Sequence, residues 1–201
     1  MGMELEFKLA AENPAVLEKI LFDQEVAQVR QGDYRLLEMS TVYYDTPDRT
    51  LSQRRWTLRL RQENQDLVAT LKTPAQGRAR NEWECRAGSI LDAIPLLVDA
   101  GAPAELADLL AAQPPMPLCV AKFTRRAAEL VFSDGTVCEL AGDVGHLGGG
   151  GKEEPLCEVE IELKSGNAEA AEAFARALQE RFGLREELRS KFARAAALAK
   201  E

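Results

Sequence analysis

Several short stretches place a charge on every second residue. In Glu4-Leu5-Glu6-Phe7-Lys8-Leu9 the charges are Glu4, Glu6 and Lys8, and in the 158–164 stretch they are Glu158, Glu160, Glu162 and Lys164. Leu58-Arg59-Leu60-Arg61, Thr70-Leu71-Lys72 and Arg80-Asn81-Glu82-Trp83-Glu84 repeat the pattern, the first two with basic residues. Neighbouring carboxylates on one strand face stand roughly 7 Å apart. At that distance they repel by about 2 kcal/mol per pair at an intermediate dielectric. Open water absorbs this cost, whereas an enclosed site requires cations. A solvated sheet face mixes its signs, but here the acidic runs and the basic runs are separate. An acidic set and a basic set around one cavity suit a polyanion bound with divalent metal. Arginine and lysine hold phosphate oxygens, and carboxylates hold hard cations that activate water. Phosphoryl transfer needs little beyond such positioning and charge stabilisation.

Other chemistries lack their residues. His146 is the one histidine of the chain, so a Ser-His-Asp triad or a histidine-rich metal site would rest on it alone. It is read as a solvated loop residue. Gly151-Lys152 resembles part of a phosphate loop, but His146 stands where the first glycine belongs and Glu153 follows the lysine. Cys85, Cys119, Cys138 and Cys157 form no CxxC pair and are read as reduced packing residues.

Period-two alternation dictates strands, and Asp134-Gly135 reads as a hairpin turn between 129–132 and 136–140. Asn13-Pro14 opens a helix carrying Leu17, Ile20 and Leu21. Ser89 opens one that Pro95 limits or kinks, and Pro103 begins another that ends near Pro114. Asn167 caps a longer helix with Phe174, Leu178 and Phe182, stopped by Gly183. Residues 190–200 form a last, alanine-rich helix. The glycine run 148–151 is read as a mobile loop. The expectation is an antiparallel α+β fold with its helices outside or at the ends of the sheet.

With 201 residues, 46% hydrophobic and 29% charged, the chain is expected to form a single globular domain spanning 1–201. Its net charge of −8 argues against a nucleic-acid coat or an anionic membrane surface, while permitting a local basic pocket. No apolar run approaches a bilayer span. Met1-Gly2-Met3-Glu4 lacks the features of a signal peptide, so a cytoplasmic location is expected.

Glu4-Leu5-Glu6-Phe7-Lys8 resembles the ExExK signature of the CYTH superfamily, the triphosphate tunnel metalloenzymes. Further blocks follow in order. They are Tyr43-Tyr44-Asp45-Thr46-Pro47-Asp48, Leu58 to Arg61, Thr70 to Lys72, Arg80 with Glu82, Phe123-Thr124-Arg125, Asp134-Gly135, Asp143, the 158–163 strand and Ser190-Lys191. The similarity is greatest to the bacterial inorganic triphosphatase branch, whose members often carry a second, helical CHAD domain. No such domain is present in these residues, and a longer parent chain stays open. The resemblance implies an eight-stranded antiparallel β-barrel, or tunnel, with helices packed outside. It implies hydrolysis of inorganic triphosphate to pyrophosphate and phosphate with Mg2+ or Mn2+, two ions among the alternatives. The metal set becomes Glu4, Glu6, Glu158, Glu160 and Glu162, with Asp143 assisting. The phosphate set becomes Lys8, Arg59, Arg61, Lys72, Arg80, Arg125 and Lys191, with Glu82 orienting a cation. The same family also holds class IV-like adenylate cyclases and thiamine or nucleoside triphosphatases. A module that binds triphosphate without turnover is the alternative of another class. Tyr43 and Tyr44 are candidates for a base-stacking slot, although a packed pair suits them better. A homodimer stays open, and no nucleic-acid or membrane partner is expected.

Overall fold

The computed structural model describes residues 5–75 and 80–199. The elements run β1 (Leu5–Ala10), α1 (Pro14–Leu21), α2 (Gln24–Val29), β2 (Arg30–Asp45), α3 (Thr50–Gln53), β3 (Thr57–Glu63), β4 (Asp66–Pro74) and β5 (Arg80–Arg86). They continue with α4 (Ile90–Asp99), α5 (Glu105–Ala112), β6 (Met116–Val131), β7 (Val137–Gly149), β8 (Lys152–Ser165), α6 (Ala168–Phe182), β9 (Arg185–Glu186) and α7 (Lys191–Leu198).

The strands form one antiparallel sheet in the order β5-β4-β3-β2-β6-β7-β8-β1-β9. This corrects the expected eight-stranded closed barrel. Among the described residues there are nine strands, and no ladder joins β5 to β1 or β9. The outer edge of β1 is taken instead by β9, which pairs Leu9 with Glu186 and Ala10 with Arg185. The sheet nevertheless curves, because side chains from β1 to β6 and from β8 line a common cavity.

Period two divides the sheet into two faces. On the outer face Leu9, Leu140, Val159 and Ile161 pack under α1, α2 and α6. Further along, Leu58, Ala69 and Leu71 pack under α4 and α5. Local chemistry sets the helix starts. The Asn13 side chain accepts from the Val16 amide, Ser89 from Asp92 and Asn167 from Glu169, and Gly183 closes α6 at φ +64°. Pro95 does not end its helix. It lies on the solvent side of α4 with Leu91, where the carbonyl deprived of a partner is solvated.

Two expectations are corrected at the carboxy-terminal end. The helices do not all lie outside, since α7 packs on the cavity face. Its Phe192 and Ala195 meet Tyr43, Phe123, Leu147 and Leu156. The glycine run is not a loop of its own but the tip of the β7–β8 hairpin. Gly148 pairs with Glu153 and Gly149 with Lys152, leaving a two-residue turn, Gly150-Gly151, with φ values of +59° and +79°. His146 accordingly stands on β7, exposed, rather than in a loop.

The glycines also let α7 approach. A Cβ on Gly149 would collide with the Ala195 carbonyl, and one on Gly150 would lie 2.8 Å from the Leu198 carbonyl. Gly149→Ala is expected to push α7 off the sheet and to cost about 1–3 kcal/mol as an overpacking substitution, measurable by urea denaturation. Gly151→Ala tests the turn alone, because nothing lies within 4 Å of its would-be Cβ.

Candidate active site

The cavity has a volume of about 370 Å³. Its basic lining is Lys8, Arg59, Arg61, Lys72, Arg80, Arg125 and Lys191, and its acidic lining is Glu6, Glu82, Glu84, Glu160 and Glu162. Cations therefore outnumber carboxylates by seven to five among the described lining residues, although the chain as a whole carries −8. That local excess suits an anion.

The basic wall stands on β3, β4, β5 and β6. Arg61 donates from Nε to the buried Thr41 hydroxyl at 3.2 Å and reaches Glu63 at 3.5 Å. Burial, with Arg59 beside it, holds the Arg61 guanidinium below its ordinary pKa. Arg59 approaches Glu82 and Glu84 only at 3.9 and 3.8 Å, and its buried Nε has no hydrogen-bond partner. Glu82 lies between Arg59 and Lys72, 3.1 Å from the latter, so it touches two cations. Arg80 donates to the Arg55 carbonyl at 2.8 Å, and burial together with Arg55 lowers its pKa.

The acidic wall is the β1–β8 ladder. Register pairs Lys8 with Glu160, of opposite sign, and Glu6 with Glu162, of like sign. Like charges directly opposite across a ladder are destabilising unless a cation intervenes. Burial and the nearby Glu160 carboxylate raise the Glu6 pKa against the pull of Lys8, 3.1 Å away. Burial alone would lower the Lys8 pKa, but Glu6 and Glu160 more than offset it.

Behind this wall lies a buried ion cluster. Arg125 donates to both oxygens of Asp143 at 2.8 Å and to Glu160 at 2.5 Å. The Lys191 ammonium stands 2.8 Å from Asp143, 2.5 Å from Glu158 and 2.6 Å from Glu160, with the Phe123 ring 5.1 Å away. Burial would lower its pKa, yet the three carboxylates hold it well above the ordinary lysine range. Burial opposes ionisation of Glu160 too, but Lys191, Arg125 and Lys8 hold it well below the ordinary carboxylate range.

The structure thus divides the predicted residues. Glu6, Lys8, Arg59, Arg61, Lys72, Arg80, Arg125, Glu160, Glu162 and Lys191 meet in the cavity, with Glu82. Glu4 lies outside the described residues. Asp143 and Glu158 are fully buried and do not line the cavity. With Glu160 they form a carboxylate group of the size that holds a metal ion, but its centre is taken by Lys191. On the cavity side, Glu6 lies 3.1 Å from Lys8, Glu162 2.7 Å from Lys164, and Glu160 accepts from both Arg125 and Lys191. Tyr43 is buried against Phe192, rings 5.2 Å apart, and Tyr44 packs on the opposite face. Sequence reading missed Arg194 and Glu154. The signal for both was present: Arg194 is three residues from Lys191 on one helix, and Glu154 has the strand parity of Glu158.

The CYTH domain family matches residues 2–196, and the chain belongs to that family. It is 31% identical over 176 residues to the inorganic triphosphatase of Haemophilus influenzae. That match covers 84% of this chain and 47% of the relative, so the chain spans about half the length of the curated relative. A proposed adenylyl cyclase of Hippeastrum that reveals a dominant triphosphatase activity superposes with a TM-score of 0.63, at 19% identity, covering 97% of this chain and 96% of the other. A Pyrococcus horikoshii OT3 protein superposes with a TM-score of 0.59, at 21% identity, covering 98% and 99%. These likenesses show the fold. Among the described residues no helix is long and apolar enough to cross a membrane.

Proposed function

We propose that this domain hydrolyses inorganic triphosphate to pyrophosphate and phosphate with the help of divalent metal, Mg2+ or Mn2+. The observation that carries the reading is one cavity in which seven cations outnumber five carboxylates among the described lining residues, with Arg59, Arg61, Lys72 and Arg80 on β3 to β5 and Glu6, Glu160 and Glu162 on β1 and β8. The 31% identity to an inorganic triphosphatase supports the same substrate class. Glu6, Glu160 and Glu162 are the residues suited to hold the metal, with Glu4 beside them in sequence. When bound, the metal supplies charge neutralisation on phosphate oxygens and a more acidic water. Arg59 and Arg61 hold the phosphate chain from the cavity wall. Arg125 and Lys191 are fixed by Asp143 and the β8 carboxylates, so their charges are oriented before the reaction begins.

The two aromatic residues of the described cavity lining, Tyr43 and Phe192, pack against each other with ring centroids 5.2 Å apart, which favours a substrate without a base. Tripolyphosphate with Mg2+ or Mn2+ is therefore expected to release phosphate faster than ATP or thiamine triphosphate does, in a colorimetric phosphate assay. Cyclic AMP as the main product from ATP would place the domain with the cyclases. Binding of tripolyphosphate without turnover would make it a binding module.

A further inference from the structure

Arg194 lies on α7, three residues after Lys191, and both side chains grip β8. Arg194 donates from Nε to Glu154 at 2.9 Å and from NH1 to Glu158 Oε2 at 2.7 Å. Lys191 takes the other oxygen of the same Glu158 carboxylate. Arg194 is 9% exposed and Glu158 fully buried. Neither lines the cavity. The inward row of β8 is therefore shared between two tasks. Glu154 and Glu158 dock α7 without reaching the cavity, whereas Glu162 and Glu160 line it, Glu160 while also accepting from Lys191 at 2.6 Å.

We infer that Arg194 is a positioning residue: through Glu158 it locks the first turn of α7 so that the Lys191 ammonium is held at the cavity wall. The physical reason is the shared carboxylate. Arg194 holds Oε2 of Glu158 at 2.7 Å while its Nε holds Glu154, and the Lys191 ammonium lies 2.5 Å from Oε1 of that same carboxylate, so a shift of Glu158 moves an anion that Lys191 rests beside. Ser190 starts the helix by accepting from the Ala193 amide, but a cap sets only where the helix begins. Its rotation about the axis is set by what Arg194 and Lys191 hold. Apolar contacts of Phe192 and Ala195 with Leu147 and Leu156 leave some sliding open, whereas the hydrogen bonds of Arg194 to Glu154 and Glu158 and of Lys191 to Glu160 do not.

The inference rests on the proposed function only for its effect on turnover, so the experiment has two arms. In the first, the metal-free protein is acetylated with acetic anhydride and the modification of Lys191 is followed by peptide mass spectrometry. Arg194→Ala is expected to speed that modification at least about tenfold. Glu154→Gln, which touches neither Lys191 nor the cavity, is expected to speed it by about threefold, and it decides the matter should Arg194→Ala not fold. Unchanged Lys191 labelling in both variants overturns the inference. In the second arm, kcat/KM for tripolyphosphate is measured in a double-mutant cycle. Arg194→Ala should lower it about tenfold in the native background and less than about twofold in the Lys191→Ala background. Equal losses in the two backgrounds would mean that Arg194 does not act through Lys191. Should the native protein not hydrolyse tripolyphosphate, the proposed function falls, and the labelling arm still decides for or against Arg194.

Discussion

Arg59→Ala or Arg61→Ala is expected to lower kcat for tripolyphosphate by roughly 10²–10³, the scale for loss of one preorganised electrostatic partner. Raising the metal concentration should not restore it. The two guanidiniums crowd each other on one strand face, and burial with Arg59 nearby already disfavours the charged form of Arg61. The unmet Nε of Arg59 adds a buried donor without an acceptor. An anion bound beside them would relieve the crowding, so their removal should hurt the complex and spare the empty protein. Thermal unfolding of the Arg59→Ala variant is accordingly expected within a few degrees of the native protein, or above it. Glu6→Gln should behave oppositely toward metal. It removes an anionic ligand but keeps the shape, and its lost activity should return in part as Mg2+ is raised. Titrating Mg2+ against each variant separates the two walls, and identical responses from arginine and glutamate variants would refute the division.

Much of this arrangement was legible in the sequence because period two is a strict geometric rule. Once 5–9, 58–61 and 158–163 are strands, the faces of Glu6, Lys8, Arg59, Arg61, Glu160 and Glu162 follow. The rule does not say what covers a face. The expected barrel follows from family resemblance, but ladder closure depends on which edges meet, and β9, only two residues long, carries no periodic signal. β2 was missed as well, and in its amino-terminal half exposure on both faces removes the alternation. Gly149 and Gly150 read as a loop in composition, whereas their role is close approach, which requires knowing that α7 returns to the cavity face. Strand parity puts Glu158 on the inward face with Glu160, but that the Lys191 ammonium lies 2.5–2.8 Å from Asp143, Glu158 and Glu160 depends on the docked helix, which parity does not show.

That distinction yields the second large effect. Asp143→Asn is expected to destabilise the fold by about 3–5 kcal/mol, the scale for removing one partner from a buried ion pair. Asp143 is fully buried, and its two oxygens accept from Arg125 and Lys191 at 2.8 Å each. The amide keeps the volume but loses the charge and one acceptor, and it turns an N–H2 toward cations. Arg125 and Lys191 then share Glu160 and Glu158 with Lys8 and Arg194, leaving an excess of positive charge. At about 2–4 °C per kcal/mol for a chain of this length, the midpoint should fall by about 6–20 °C. On the reading that the place beside Asp143 belongs to the Lys191 ammonium, 2.8 Å away, saturating Mg2+ should not recover it. Glu6→Gln provides the contrast. Its carboxyl pKa is raised in the fold, so the charged form is disfavoured there, and a neutral isostere should leave stability unchanged or higher. If Asp143→Asn unfolds at the native temperature but loses metal affinity, Asp143 belongs with the ligands after all. If it unfolds early with metal binding intact, the cluster behind the β1–β8 wall is structural, and the metal belongs with Glu6 and its neighbours on the cavity side.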